Sequence, residues 1–263
     1  MDLLLKNKTA FISGSSQGIG YAIAENLAKE GVNIIINGRN EEKVNSAKER
    51  ILQKYPEITV QTIVADFANI SELEKSLETI SEVDILINNV GVFEQREFKD
   101  TTEKDWLANF NLNVMTGVKL SQHYLPQMLS KKWGRIIFVG SEFALNVHSN
   151  SIQYGVTKSA VSALSNGLSK LTKGTEVTVN TILAGATYSD GVAGTMQYLA
   201  QLNNITEEQM KSNFINQVNS NSLLERFIDP EEIANIITFL SSPLSVAING
   251  TSLRADAGNL SVV

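Results

Sequence analysis

The stretch "TAFISGSSQGIGYAIAENLAKE", residues 9–30, decides how the chain folds. It opens on a short apolar run, TAFIS (9–13), passes through a glycine-rich loop and closes in a segment with apolar residues at three- and four-residue intervals. Strand, glycine loop, helix: that order starts a βαβ unit. Gly14, Gly18 and Gly20 each have a mechanical use there: a tight bend, close approach of backbone to a pyrophosphate, and close packing of helix on strand. The loop amides around Ser16, Gln17 and Ile19, with the positive end of the helix behind them, suit phosphate oxygens. Three glycines also suit a plain turn, but their place directly after the first strand points to a dinucleotide.

Working outward, further β-branched runs follow: VNIIIN (32–37), TVQTIVA (59–65), DILIN (84–88), RIIFVG (135–140) and VTVNTIL (177–183), with helix-period segments between them. Apolar strands separated by helices predict a doubly wound α/β fold, a parallel sheet covered on both faces, with its ligand at the carboxyl ends of the strands. Ser71 with Glu74, Thr206 with Gln209, and Asp229-Pro230 with Glu232 read as helix starts. No linker or repeat interrupts the chain, so residues 1–263 form one domain. Between Leu183 and Asp229, "DGVAGTMQYLAQLNNITEEQMKSNFINQV" reads as two short amphipathic helices. This insertion, about 186–228, is a substrate lid, or else a surface decoration or an oligomer contact.

Composition narrows the function. The 263 residues are 43% hydrophobic and carry a net charge of −6, so nothing draws the protein to nucleic acid or to an anionic membrane surface. The absence of cysteine excludes disulfides, thiolate catalysis and Cys-ligated metals. Two histidines without paired spacing argue against a metal site. Only three consecutive leucines lie between Asp2 and Lys6, and no run approaches the length of a membrane span. The expectation is a soluble, cytoplasmic protein.

The chemistry concentrates in "SIQYGVTKSA" (151–160), where Tyr154 and Lys158 stand four apart, and in "IIFVGSEFA" (136–144), where Ser141 ends a strand. Residues i and i+4 share one helical face. A lysine ammonium near a tyrosine favours the phenolate and brings down a pKa that is ordinarily near 10. Such a tyrosine can exchange a proton with a carbonyl oxygen while a nicotinamide exchanges hydride with the carbon.

With the loop spaced Gly-x-x-x-Gly-x-Gly, "NNVG" at 88–91, Asn113 opening "NVMTGVKLSQHYLPQM", and Ser141, Tyr154 and Lys158 in order, the sequence resembles the short-chain dehydrogenase/reductase family from about residue 5 onward. The resemblance implies one Rossmann domain with a mainly parallel seven-stranded sheet in the order 3-2-1-4-5-6-7. It implies that Ser141 orients the substrate oxygen, Tyr154 is the acid/base, Lys158 binds the nicotinamide ribose, and Asn113 supports a water linking the lysine to solvent. Asn88, Gly91, Gly185 and Thr187 would adjoin the cofactor. A homotetramer or homodimer would form on the helices around 104–131 and 152–172 and on "GTSLRADAGNLSVV". The partner would be a small carbonyl or alcohol substrate. A sugar-nucleotide epimerase would need a different glycine spacing and a larger C-terminal domain. A non-catalytic dinucleotide-binding regulator tends to lose the tyrosine or the lysine.

The second strand ends "INGRN" (36–40), offering Asn37 or Gly38 and then Arg39, with no carboxylate to accept a ribose 2′-hydroxyl. That favours NADP(H), with Arg39 on the 2′-phosphate, over NAD(H). Against it, Glu41 and Glu42 offset the charge, and the glycine loop holds no second basic residue. Asp66 in "VADF" either contacts the adenine, as in the family, or makes a turn. Two departures stand out: Val90 replaces the family's alanine, and "LAGATYSDG" puts Ala184 where the family has proline. Phe93, Glu94, Glu142, Phe143, His148 and Tyr188 follow strand ends and are candidates to choose the substrate. Glu142 either binds a polar or cationic group or faces solvent; His148 either touches the ligand or lies on the surface. His123 is read as a packing or interface residue.

Overall fold

The computed structural model describes residues 1–80 and 82–261. The chain runs β1 (Thr9–Ile12), α1 (Gly18–Lys29), β2 (Asn33–Gly38), α2 (Glu41–Lys54), β3 (Val60–Val64), α3 (Ile70–Thr79) and β4 (Ile85–Asn88). Then come α4 (Glu103–Phe110), a π turn (Asn111–Met115), α5 (Thr116–Lys131), β5 (Trp133–Val139), α6 (Ile152–Ser169) and β6 (Glu176–Ala184). α7 (Asp190–Leu202), α8 (Glu207–Val218), α9 (Pro230–Ser241) and β7 (Ser252–Ala255) complete it. The seven strands form one parallel sheet in the order 3-2-1-4-5-6-7, as the resemblance implied.

The strands are apolar on both faces because each face carries its own core. Alternate side chains point to opposite sides. Ala10, Ile12, Ile34, Ile36, Ile85 and Ile87 pack under α1, α2 and α9. Phe11, Ile35 and Leu86, one residue out of step, pack with Leu73 of α3, Tyr124 of α5 and Val161 of α6. β1 pairs with β2 on one side and β4 on the other, Ile12 lying opposite both Ile36 and Ile87. The chain therefore winds outward in two directions from β1, and a crevice opens beyond the carboxyl ends of β1 and β4.

Two of the three expected helix starts hold as capping boxes, at Thr206 with Gln209 and at Asp229 with Glu232. The third is displaced. Asn69, not Ser71, caps α3: its side-chain oxygen accepts from the Ser71 amide at 3.1 Å and its Nδ2 donates to Glu72 at 2.9 Å. Glu74 turns outward instead and pairs with Lys119. The long helix expected at 104–131 is present and stays helical throughout, carrying a π turn at 111–115.

Arg135 is fully buried in β5. Its guanidinium donates to Ser242 O through Nε and Nη2, at 3.2 and 3.1 Å, and to Gly134 O and Glu176 O through Nη1, at 2.9 and 2.6 Å. Ser242 is the C-cap of α9, so the cation sits at the negative end of that helix and ties it to the sheet. Arg135→Met should lower the unfolding free energy in urea by about 2–4 kcal/mol, since several buried carbonyls lose their donor. A loss under about 0.5 kcal/mol would show that the fork does not anchor α9.

Candidate active site

The turn from β1 to α1 is held from beneath. Asn89 Nδ2 donates to Ser13 O at 3.0 Å and Gly14 O at 2.9 Å, and Ser13 Oγ accepts from the amides of Asn89 and Val90. Asn37 Oδ1 accepts from the Gly14 amide at 3.0 Å. Gly14 and Gly18 have φ of +62° and +61°, where glycine alone is unstrained. A Cβ on Gly20 would lie 2.4 Å from Gly14 O, so helix and strand meet there with no room for a side chain. The N-cap of α1, Gln17, makes no side-chain cap, whereas Asn40, Asn69, Thr102 and Thr206 cap α2, α3, α4 and α8. The Gly18 amide instead donates to Asp190 Oδ2 at 2.6 Å, a carboxylate from the first turn of α7. A helix terminus without a local cap, closed by an anion from far along the chain, is an anion site.

From this turn a groove of about 550 Å³ runs over Ser16, Gln17 and Gly38 to Arg39, Lys43 and Asp66. Asn37 is buried and spent on Gly14, Ile63 and Ala65, which removes it as a ribose partner. Arg39 and Lys43 are both exposed at the rim, and Lys43 Nζ donates to Gln17 Oε1 at 2.8 Å. Lys43 is the second basic residue that the glycine loop itself lacks; it arrives from the first turn of α2. Asp66 lines the groove and also makes a turn, accepting from the Ala68 amide at 3.0 Å.

Beyond Gly91 and Val92, which line both spaces, a second cavity of about 290 Å³ contains Ser141, Tyr154 and Lys158. Ser141 comes from the end of β5, and Tyr154 and Lys158 from consecutive turns of α6. Ile19, Gly185 and Thr187 line the same cavity. Asn113 lies in the π turn and grips Val92 by both backbone groups, accepting from its amide at 2.8 Å and donating to its carbonyl at 3.0 Å. Asn113 Oδ1 and Lys158 Nζ would stand 3.2 and 3.5 Å from a Cβ on Gly91, so backbone passes close to both. Phe93 and Phe143 set ring edges around Tyr154 at 4.9 and 5.9 Å.

Burial rules the electrostatics here. It pushes the Tyr154 phenol up to about 12; the neighbouring Ser141 hydroxyl opposes this and the Glu142 carboxylate adds to it. Burial likewise pulls Lys158 down to about 8. The ammonium donates to Val139 O at 2.8 Å and lies 5.5 Å from the Tyr154 ring, so it does not bring the phenol down as the spacing suggested. Glu142 is itself buried, its carboxyl raised by desolvation and drawn back by the amides of Asn259 and Asn219.

The other sequence candidates divide. Asn88 lies under the floor with Phe138 and Lys158, outside both large spaces, while its neighbour Asn89 holds the glycine loop. Val90 packs on Gly14, with Cγ2 3.1 Å from where a Cβ would be. Ala184 continues β6, and the loop after it gains order without proline: Gly185 N donates to Ala255 O, Tyr188 N to Ile228 O, and Ile228 N to Ala186 O. Glu94 lines the groove and pairs with Arg96. His148 stacks on Phe143 at 4.4 Å, His123 is exposed on α5, and the Tyr188 hydroxyl bonds Glu207 of α8. A glycine cradle, a helix terminus without a local cap, a basic rim and an adjoining cavity that holds both Tyr154 and Lys158 fit a dinucleotide.

Comparison with known proteins agrees. A family model described as short chain dehydrogenase matches residues 8–198. The uncharacterized oxidoreductase YvaG of Bacillus subtilis is 42% identical over 98% of both chains. The 3-oxoacyl-[acyl-carrier-protein] reductase FabG of Aquifex aeolicus is 28% identical over 98% of this chain and 99% of its own. Among solved structures, L-sorbose reductase from Gluconobacter frateurii complexed with NADPH and L-sorbose superposes with a TM-score of 0.95 at 28% identity, covering all of both chains. Sequence and architecture thus converge, and the chain belongs to the short-chain dehydrogenase/reductase family.

Proposed function

We propose that the protein is an NADP-dependent oxidoreductase that interconverts a carbonyl compound and its secondary alcohol. The observation that carries this reading is a groove with Arg39 and Lys43 at its rim and an adjoining cavity with Ser141, Tyr154 and Lys158, the two sharing Gly91 and Val92 as a common wall. NADPH in a structural relative of 28% identity supports the choice of dinucleotide. A bound nicotinamide supplies the hydride.

The chain supplies everything else. Arg39 and Lys43 take the 2′-phosphate, because no carboxylate ends β2 to repel it. The amides of the α1 terminus hold the pyrophosphate, which replaces the Asp190 carboxylate on Gly18. Ser141 orients the carbonyl oxygen and Tyr154 donates to it. With its phenol pushed up to about 12, Tyr154 is protonated at neutral pH and ready to act as the acid. Lys158 binds ribose hydroxyls and places a positive charge beneath the developing phenolate. Asn113 fixes the 91–92 backbone against which the nicotinamide lies. Helices α7 and α8, held by their own cluster of Met196, Ile215 and Phe227, act as the lid over the cavity.

Three outcomes test this. Arg39→Ala combined with Lys43→Ala should weaken NADPH binding about a hundredfold, at ~1.4 kcal/mol for each lost phosphate contact, and leave NADH nearly unchanged in nicotinamide-fluorescence titrations. Equal losses for both would sink the 2′-phosphate assignment. Tyr154→Phe should bind NADPH normally yet reduce ketones at least about a hundredfold more slowly; undiminished turnover would remove Tyr154 as the acid. The pH profile has a definite sign. A lysine with a depressed pKa carries its charge only below it, so ketone reduction should be level below neutrality and fall as pH passes about 8. A rate that climbs through that range would contradict the role of Lys158.

A further inference from the structure

We propose that Glu142 selects the substrate: the cavity beside Tyr154 takes a neutral, hydroxyl-bearing ketone and rejects a carboxylate-bearing one. The inference rests on the oxidoreductase reading above.

Glu142 directly follows Ser141 and is 3% exposed. Its Oε2 accepts from Asn259 Nδ2 at 2.8 Å and its Oε1 from Asn219 Nδ2 at 3.3 Å. Both partners are neutral amides. Arg254, the nearby cation, is bound to Asp256 at 2.9 Å and to Leu260 O at 2.7 Å, and on Glu142 the charges of Arg254 and Asp256 act in opposite senses. A carboxylate buried against amides alone is costly, and a Gln side chain would fill the same space without that cost. Nor does the proton transfer need the charge, because burial, the largest cause, already holds the Tyr154 phenol up and protonated. What remains is a tie between the end of α8 and the C-terminal segment, or recognition of a ligand, and the place of Glu142 in the cavity lining favours the second.

The geometry suits a hydrogen-bond donor. An ionised carboxylate offers about four acceptor positions, and the two amides occupy two of them. Glu142 and Asn219 both line the cavity, and Glu142 is its only carboxylate among the described residues. The walls around the pair are apolar: Phe93, Phe143, Phe214, Val218 and Phe227. A substrate held by Ser141 and Tyr154 through its carbonyl oxygen brings its nearest substituent to this acidic edge. A hydroxyl there gains a charge-assisted hydrogen bond. A carboxylate there meets the Glu142 charge, the one acidic group lining the cavity among the described residues, while the Lys158 ammonium of the same cavity is turned to Val139 O.

The test compares hydroxyacetone, acetone and pyruvate, which share a three-carbon skeleton, and the corresponding six-carbon ketones, by NADPH oxidation. The wild-type protein should prefer hydroxyacetone over pyruvate by about a hundredfold or more in kcat/KM, and over acetone by about tenfold. Glu142→Gln should narrow both gaps at least about tenfold while NADPH binding stays unchanged. If Glu142 only ties the lid to the C-terminal segment, the variant will lower all three rates by one factor and leave the ranking alone, which overturns the inference. Wild-type preference for pyruvate overturns it without any variant. If the protein binds NADPH and reduces no ketone of the panel, the oxidoreductase reading itself falls, and this inference with it.

Discussion

The position that permits no side chain governs the architecture of the site. At Gly20 an added Cβ would lie 2.4 Å from Gly14 O and 2.6 Å from Asn89 Nδ2. That contact draws α1 onto the end of β1 while Asn89 ties the same turn to the end of β4. Three elements are thereby locked at the point where the sheet winds both ways. The terminus of α1 has no local side-chain cap, and its first amide reaches Asp190 instead. The groove, the basic rim and the Tyr154 cavity are all placed relative to this junction.

Around it, the structure balances desolvation against charge. Burial moves Tyr154 and Lys158 toward their neutral forms, the phenol to about 12 and the ammonium to about 8. In this state the lysine spends its hydrogen bond on Val139 O. The same desolvation raises Glu142, whose two amides only partly offset it. Desolvation is thus the largest cause of all three shifts, and it acts on groups that line one cavity.

Much of this was legible in the sequence because the signals are local. The first βα turn and the capping boxes at Thr206 and Asp229 each lie within a few residues and formed as read, while the Tyr154–Lys158 spacing brought both groups to one cavity without the expected fall in the phenol's pKa. Strand-end detail was harder. Asn88 and Asn89 are neighbours, and only the pleat decides that the second reaches the glycine loop. Lys43 was passed over because its place at the rim depends on where Asn40 starts α2. The least legible contacts join distant segments: Gly18 to Asp190 across 172 positions, and Glu142 to Asn219 and Asn259 across 77 and 117. No periodicity encodes such pairs; they exist only once the sheet has brought the segments together.

The central claim is that the junction at Gly14–Gly20 is a dinucleotide cradle feeding the Tyr154 cavity. Amide hydrogen exchange with and without saturating NADPH tests it most directly. The account predicts new protection in residues 14–20, 38–43 and 89–92, the segments that line the groove and its junction with the cavity. Protection elsewhere with none in the glycine loop, or no change at all, would contradict it.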